Sequence, residues 1–148
     1  MTNSYFTSIR TYLLELGYVL HHEHEASNLL VVSRPELGID HLVLGCGEPL
    51  LILEQYLLEL PAPNGDIYQR LLQKNRDIIH GAFVLDESGL KVIYRDTLQL
   101  DLLDRAALEA VLNSLALLLS EFGDELIEFS KEGLGDLGGL RSLVDVLP

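Results

Sequence analysis

One cysteine, Cys46, stands in 148 residues, which excludes a disulfide framework, a CxxC redox pair and a zinc knuckle. Basic residues are scarce: 10 lysines and arginines face 23 aspartates and glutamates, a formal charge of −13. Such a chain repels phosphate backbones and anionic membrane surfaces, so neither nucleic acid nor a membrane is an expected partner. The opening MTNSYFTSIR has no basic stretch followed by an apolar one, so a secretory signal is not expected. No unbroken apolar run approaches the roughly eighteen residues of a membrane span. There is no P-loop, no GxGxxG behind a strand, no GxSxG and no HExxH. These absences point to a cytoplasmic protein without an assignable catalytic motif, and no cofactor is called for.

What is present is core-forming material. Hydrophobic residues make up 48%, enough for one core, and the length is short for two domains. Phe6, Ile9, Leu13 and Leu16 recur at helical spacing behind Asn3 or Ser4 as cap, and Gly17 stops the helix. The pattern then shortens to two strands, about 18–25 and 28–33, joined at Ala26–Ser27 and closed by Pro35. A short strand over His41–Leu44 precedes a bend at Gly45, Gly47 and Pro49. The run LLILEQYLLEL, Leu50–Leu60, fits either a helix or a strand buried on both faces. As a strand it places Leu51, Leu53 and Leu57 on one face and Ile52, Tyr56 and Leu58 on the other.

Asn64 caps a second helix with Ile67, Tyr68, Leu71, Leu72 and Ile79 as apolar positions and Arg70, Lys74 and Arg76 as a rare basic patch. GAFVLDESGLKVIYRDT reads as a hairpin turning at Glu87–Ser88–Gly89. Asp104 caps a third helix, where Leu108, Val111, Leu112, Leu115, Leu118, Leu119, Phe122, Leu126 and Phe129 fall in one stripe about 120° wide. That stripe must lie on a sheet. Residues 132–148 are rich in glycine and leucine and read as a flexible tail with a short terminal helix, or as a built-in peptide that docks on this chain or a neighbour.

The segment HHEHE, His21–Glu25, is the densest chemistry in the chain. On a regular strand His22 and His24 share a face and offer two metal ligands, with His41 as a third. Clustered imidazoles also suit pH sensing. Against both stands the wet face of an edge strand. Cys46, between two glycines, reads as a buried inert thiol rather than a nucleophile.

Leu71–Leu126 resembles the second half of YbjN-type domains, often labelled sensory transduction regulators, which share the fold of the CesT/Tir class of type III secretion chaperones. The similar residues are Asn75, His80-Gly81-x-Phe83, Asp86, the strand exit Arg95-Asp96-Thr97-Leu98, and the Leu-rich last helix. The resemblance spans nearly residues 1–130. It favours a strand over 50–60 and implies an α+β fold, a mainly antiparallel sheet flanked by helices in the order α-β-β-β(-β)-α-β-β-α. It also implies a homodimer whose partner polypeptide wraps the sheet and pairs with an edge.

The expected protein is thus a single domain over 1–131 and a non-catalytic, chaperone-like or regulatory binding module. Its first and third helices cover one sheet face, leaving the second helix or the other face for a dimer or client. Leu51, Leu53, Leu57, Tyr68 and Leu72 are the expected contacts with a partner or second copy. The competing reading is a small-molecule- or metal-dependent function centred on His22, His24, His41 and Cys46.

Overall fold

The structure, a computed structural model, describes residues 4–135, with side chains described to Lys131. The Asn3 cap and tail residues 136–148 lie outside the described residues. Three α-helices, α1 (Ser4–Glu15), α2 (Gly65–Asn75) and α3 (Arg105–Gly135), accompany six strands. The strands are β1 (Val19–His24), β2 (Leu29–Arg34), β3 (Ile39–Gly47), β4 (Leu50–Glu59), β5 (Ala82–Leu85) and β6 (Lys91–Gln99). They form one antiparallel sheet in the order β1-β2-β3-β4-β6-β5, so the α+β fold and the element order are as expected.

Leu50–Glu59 is a strand, paired on both sides by β3 and β6. Central position makes it a strand: both neighbours take its backbone groups, and one face, with Leu51 and Leu53, packs in the core while Ile52 and Tyr56 stand on the open face. Its alternation is interrupted by a bulge between Tyr56 and Leu58. Leu51, Leu53 and Gln55 point into the core; beyond the bulge Leu58 and Leu60 do so, while Leu57 is only partly buried. The expected grouping of Leu57 with Leu51 and Leu53, and of Leu58 with Tyr56, is therefore corrected: one extra residue resets the parity. β3 is longer than expected, because Gly45 and Gly47 stay extended and pair with Ile52 and Leu50. The reversal falls at the cis Glu48–Pro49 peptide.

One face of the sheet is covered. Leu30, Val32, Leu42, Leu44, Leu51, Leu53, Val92 and Tyr94 meet Phe6, Ile9 and Leu13 of α1 in a single core. On α3, seven of the nine stripe residues are buried, and Leu119 and Phe122 pack partly buried against them. By length and composition α3 could cross a membrane, but its apolar stripe lies on the sheet. The helix continues past the boundary expected at residue 131, to Gly135.

α2 is not left free, contrary to one expectation. Ile67 and Leu71 join the same core, and Lys74 pairs with Glu125 of α3 while its ammonium lies 4.7 Å from the Phe122 ring centroid. Among the described residues, the outer side of α2 and the second face of the sheet remain open.

Candidate protein-binding surface

The residues that carried the family resemblance prove structural. The Asn75 side chain, at the end of α2, accepts a hydrogen bond from Phe83 N–H at 2.7 Å and donates one to Phe83 C=O at 3.1 Å. Phe83 faces Tyr94 of β6, and its own backbone polar groups turn outward to Asn75 instead of to β6. The Asn75 amide thus occupies part of the free edge of β5, which blunts that edge against stray pairing. Gly81 has φ +75°, and a Cβ there would stand 2.5 Å from the Tyr94 ring; only glycine fits. Tyr94 Oη in turn donates to the His80 carbonyl at 3.1 Å. Asp86 accepts from Ser88 Oγ and Lys91 N–H to close the hairpin, and these bonds hold its carboxyl below the usual carboxylate range.

Beside β5 lies an apolar groove of about 230 Å³, lined by Tyr68, Leu71 and Leu72 of α2 and Phe83, Val84 and Leu85 of β5. Leu72 is 69% exposed and Leu85 40%. Two expected contact residues, Tyr68 and Leu72, are therefore brought together at the surface. Leu57 lines a different hollow, of about 320 Å³, with Leu119, Leu126 and Ile127 of α3. Leu51 and Leu53 are 0% and 1% exposed; the helices cover them, and they are not available to a partner. Sequence reasoning missed Val84 and Leu85, whose alternation with Phe83 was the signal that could have found them.

The uncovered sheet face carries Val31, Val43, Ile52 and Ile93, each partly exposed, with Leu29 and Tyr56 more exposed. A 3.4 Å Glu54–Arg95 ion pair crosses its centre. Among the described residues no strand pairs with the outer edge of β1, which therefore offers unpaired backbone groups.

That edge holds the HHEHE segment. A bulge between Leu20 and His22 breaks the expected alternation. His22 and His24 face Val31 and Leu29 on the open side, whereas Glu23 turns to the helix side and pairs with Arg10 of α1 at 3.0 Å. His21, at the bulge, stacks on His41 with ring centroids 4.3 Å apart. The competing site built on His22, His24, His41 and Cys46 does not assemble. Cys46 is 8% exposed on the covered face, where burial pushes its thiol up to about 11, and the three imidazoles lie on the exposed surface. His41 meets His21 and Asp40 instead; the bulge, invisible to a period-two reading, made that choice.

A six-stranded antiparallel sheet with three helices on one face is the fold of the type III secretion chaperones, and solved structures share it. YbjN from E. coli superposes with a TM-score of 0.63 at 13% identity, covering 81% of this chain and 92% of that one. A chain of the ExsC–ExsE complex gives 0.60 at 16% identity, over 88% and 94%. The Yersinia pestis type III secretion chaperone SycH, in complex with a stable fragment of YscM2, gives 0.56 at 18% identity, over 86% and 100%. At such identities these likenesses define the fold. The chain belongs to the CesT_Tir_1 family, whose sequence model matches residues 2–132. No curated protein is significantly similar to it in sequence.

Proposed function

We propose that this chain is a non-catalytic, chaperone-like binding module that holds a partner polypeptide in the cytoplasm as a homodimer. The observation that carries the reading is the apolar groove between α2 and β5, with Leu72 at 69% exposure on its rim. A groove of this kind accepts one or two apolar side chains of an extended segment. The half-open sheet face, with Val31, Val43, Ile52 and Ile93, continues the apolar surface toward β1, where a partner strand gains backbone hydrogen bonds. Because Asn75 caps β5 at Phe83, strand addition belongs at β1, and the β5 end contributes side-chain pockets. The family membership supports this reading, as do two complexes of the same fold, the chaperone SycH with a fragment of YscM2 and ExsC–ExsE. A charge of −13 keeps such a surface soluble and favours a basic partner.

The test is site-specific photocrosslinking in the native host. A crosslinker at position 72 should capture a defined polypeptide, and Leu85→Glu should abolish the capture. The same crosslinker at exposed position 101 should capture nothing. Absence of any adduct at position 72, or the same adducts at 101, would overturn the reading, and light scattering that gives a monomer would remove the homodimer.

A further inference from the structure

Two polar residues are buried among the described residues, Ser33 at 2% and Gln55 at 5% exposure. Both act on the same short segment. Ser33 Oγ accepts from the His41 backbone N–H at 2.8 Å and donates to Asp40 Oδ1 at 3.3 Å. Gln55 accepts from Asp40 N–H at 3.3 Å and donates to the Asp40 carbonyl. His41 is held at φ +52°, a left-handed conformation that costs a non-glycine residue energy and persists only where neighbours enforce it. Bulges in β1 at His21 and between β2 and β3 at Ser33 meet at the same place.

The product of these irregularities is a compact donor set. His21 Nε2 lies 2.7 Å from Ser33 Oγ, His41 Nδ1 lies 2.7 Å from Asp40 Oδ1, and the two rings are parallel within 4°. The ligand atoms of His21, Asp40 and His41 all lie within 4.8 Å of one another. Buried side chains thus fix the backbone beneath, while the donors themselves face solvent.

We propose that His21, Asp40 and His41 bind a divalent transition-metal ion of the zinc and nickel class. Two imidazoles and one carboxylate match the donor preference of such ions, whereas magnesium and calcium prefer all-oxygen shells. Parallel rings do not aim their lone pairs at one point, so binding turns each imidazole about its Cβ–Cγ bond; the rings are exposed, and the turn gives up their mutual stacking but no packing in the core. Ser33 and Gln55 are positioning residues, holding the segment that carries two of the three ligands. The bound ion ties edge strand β1 to β3 across β2 and leaves coordination positions open to water or to a partner's side chain.

Calorimetric titration of the untagged full chain with zinc ion, in the presence of excess magnesium, tests this. The expected result is saturable binding of one ion per chain, weakened about tenfold or more by His21→Ala and by Asp40→Asn, and about 10- to 100-fold by Ser33→Ala. His22→Ala and His24→Ala should leave affinity unchanged. Circular dichroism of each variant separates loss of a ligand from loss of fold, and Asp40→Asn, a surface change, carries the test if His21→Ala does not fold. Absence of stoichiometric binding, displacement by magnesium, or loss of binding in His22→Ala with His21→Ala unaffected would refute the site.

Discussion

Asn75 offers the sharpest check on how the β5 end of this molecule is built. Its amide makes two hydrogen bonds to the backbone of Phe83, at 2.7 and 3.1 Å, and Phe83 has no ladder bond there to fall back on. Asn75→Ala removes both bonds. A typical net hydrogen bond is worth about 1 kcal/mol, and a buried group left unpaired costs about 1–3 kcal/mol. Phe83 is 5% exposed, so water reaches its backbone incompletely, and the expected loss is about 2–4 kcal/mol. That is a large share of the roughly 5–15 kcal/mol of a typical domain.

Urea denaturation measures the loss, and hydrogen exchange over residues 82–85 should show the Phe83 amide losing protection selectively. Asn75→Asp sharpens the argument. It keeps an oxygen for Phe83 N–H but sets a second carboxylate oxygen against the Phe83 carbonyl. At pH 7 it should be no better than alanine, and it should recover as the pH falls to about 4, where the carboxyl regains a proton to donate. An alanine loss below about 0.5 kcal/mol, or an aspartate tolerated at pH 7, would show that the edge is not held this way.

Two further outcomes are expected. Gly81→Ala should cost more than Gly89→Ala, since both have φ +75° but only the first places a Cβ 2.5 Å from the Tyr94 ring. Gly89→Ala should lose about 1–2 kcal/mol for the left-handed backbone alone, and equal losses in chemical denaturation would mean that Tyr94 gives way freely. Cys46 should resist alkylation at pH 8.5 in the folded chain, because burial keeps its thiol protonated up to about 11, whereas the unfolded thiol ionises near about 8.5. Its raised folded value means stability present at neutral pH and lost as the pH rises from the unfolded value through about 11. Cys46→Ala should flatten that alkaline limb, and labelling as fast as that of a free thiol would contradict the burial.

Much of the frame was legible in residue order. The stripe Leu108–Phe129 forecast α3 and its packing on a sheet, because a 3.6-residue period needs no distant information. Asn64 and Asp104 were readable as caps, and each accepts the bond expected of it, from Ile67 N–H and Ala107 N–H. The run Leu50–Leu60 was not decided by its own letters. Its character as a strand follows from β3 and β6 pairing on either side, a fact about neighbours. The surface was least legible. Leu51 and Leu53 look as sticky on paper as Leu72, and only the placement of α1 and α3 tells buried from exposed. Ser33 and Gln55 carried a signal, being polar letters within apolar strands, but what they bind lies elsewhere in the chain.

The sequence by itself determined the elements outside Leu50–Leu60, the acidic solvated exterior and the lack of an assignable catalytic motif, because periodicity, caps, turns and charge are local or additive properties. Tertiary structure alone decided which face of β4 is covered, that α2 docks rather than stands free, and that His21 and not His22 meets His41. Each of those outcomes turns on a bulge or a neighbouring strand. A one-residue slip reverses every side chain beyond it, and no local pattern records where the slip occurs.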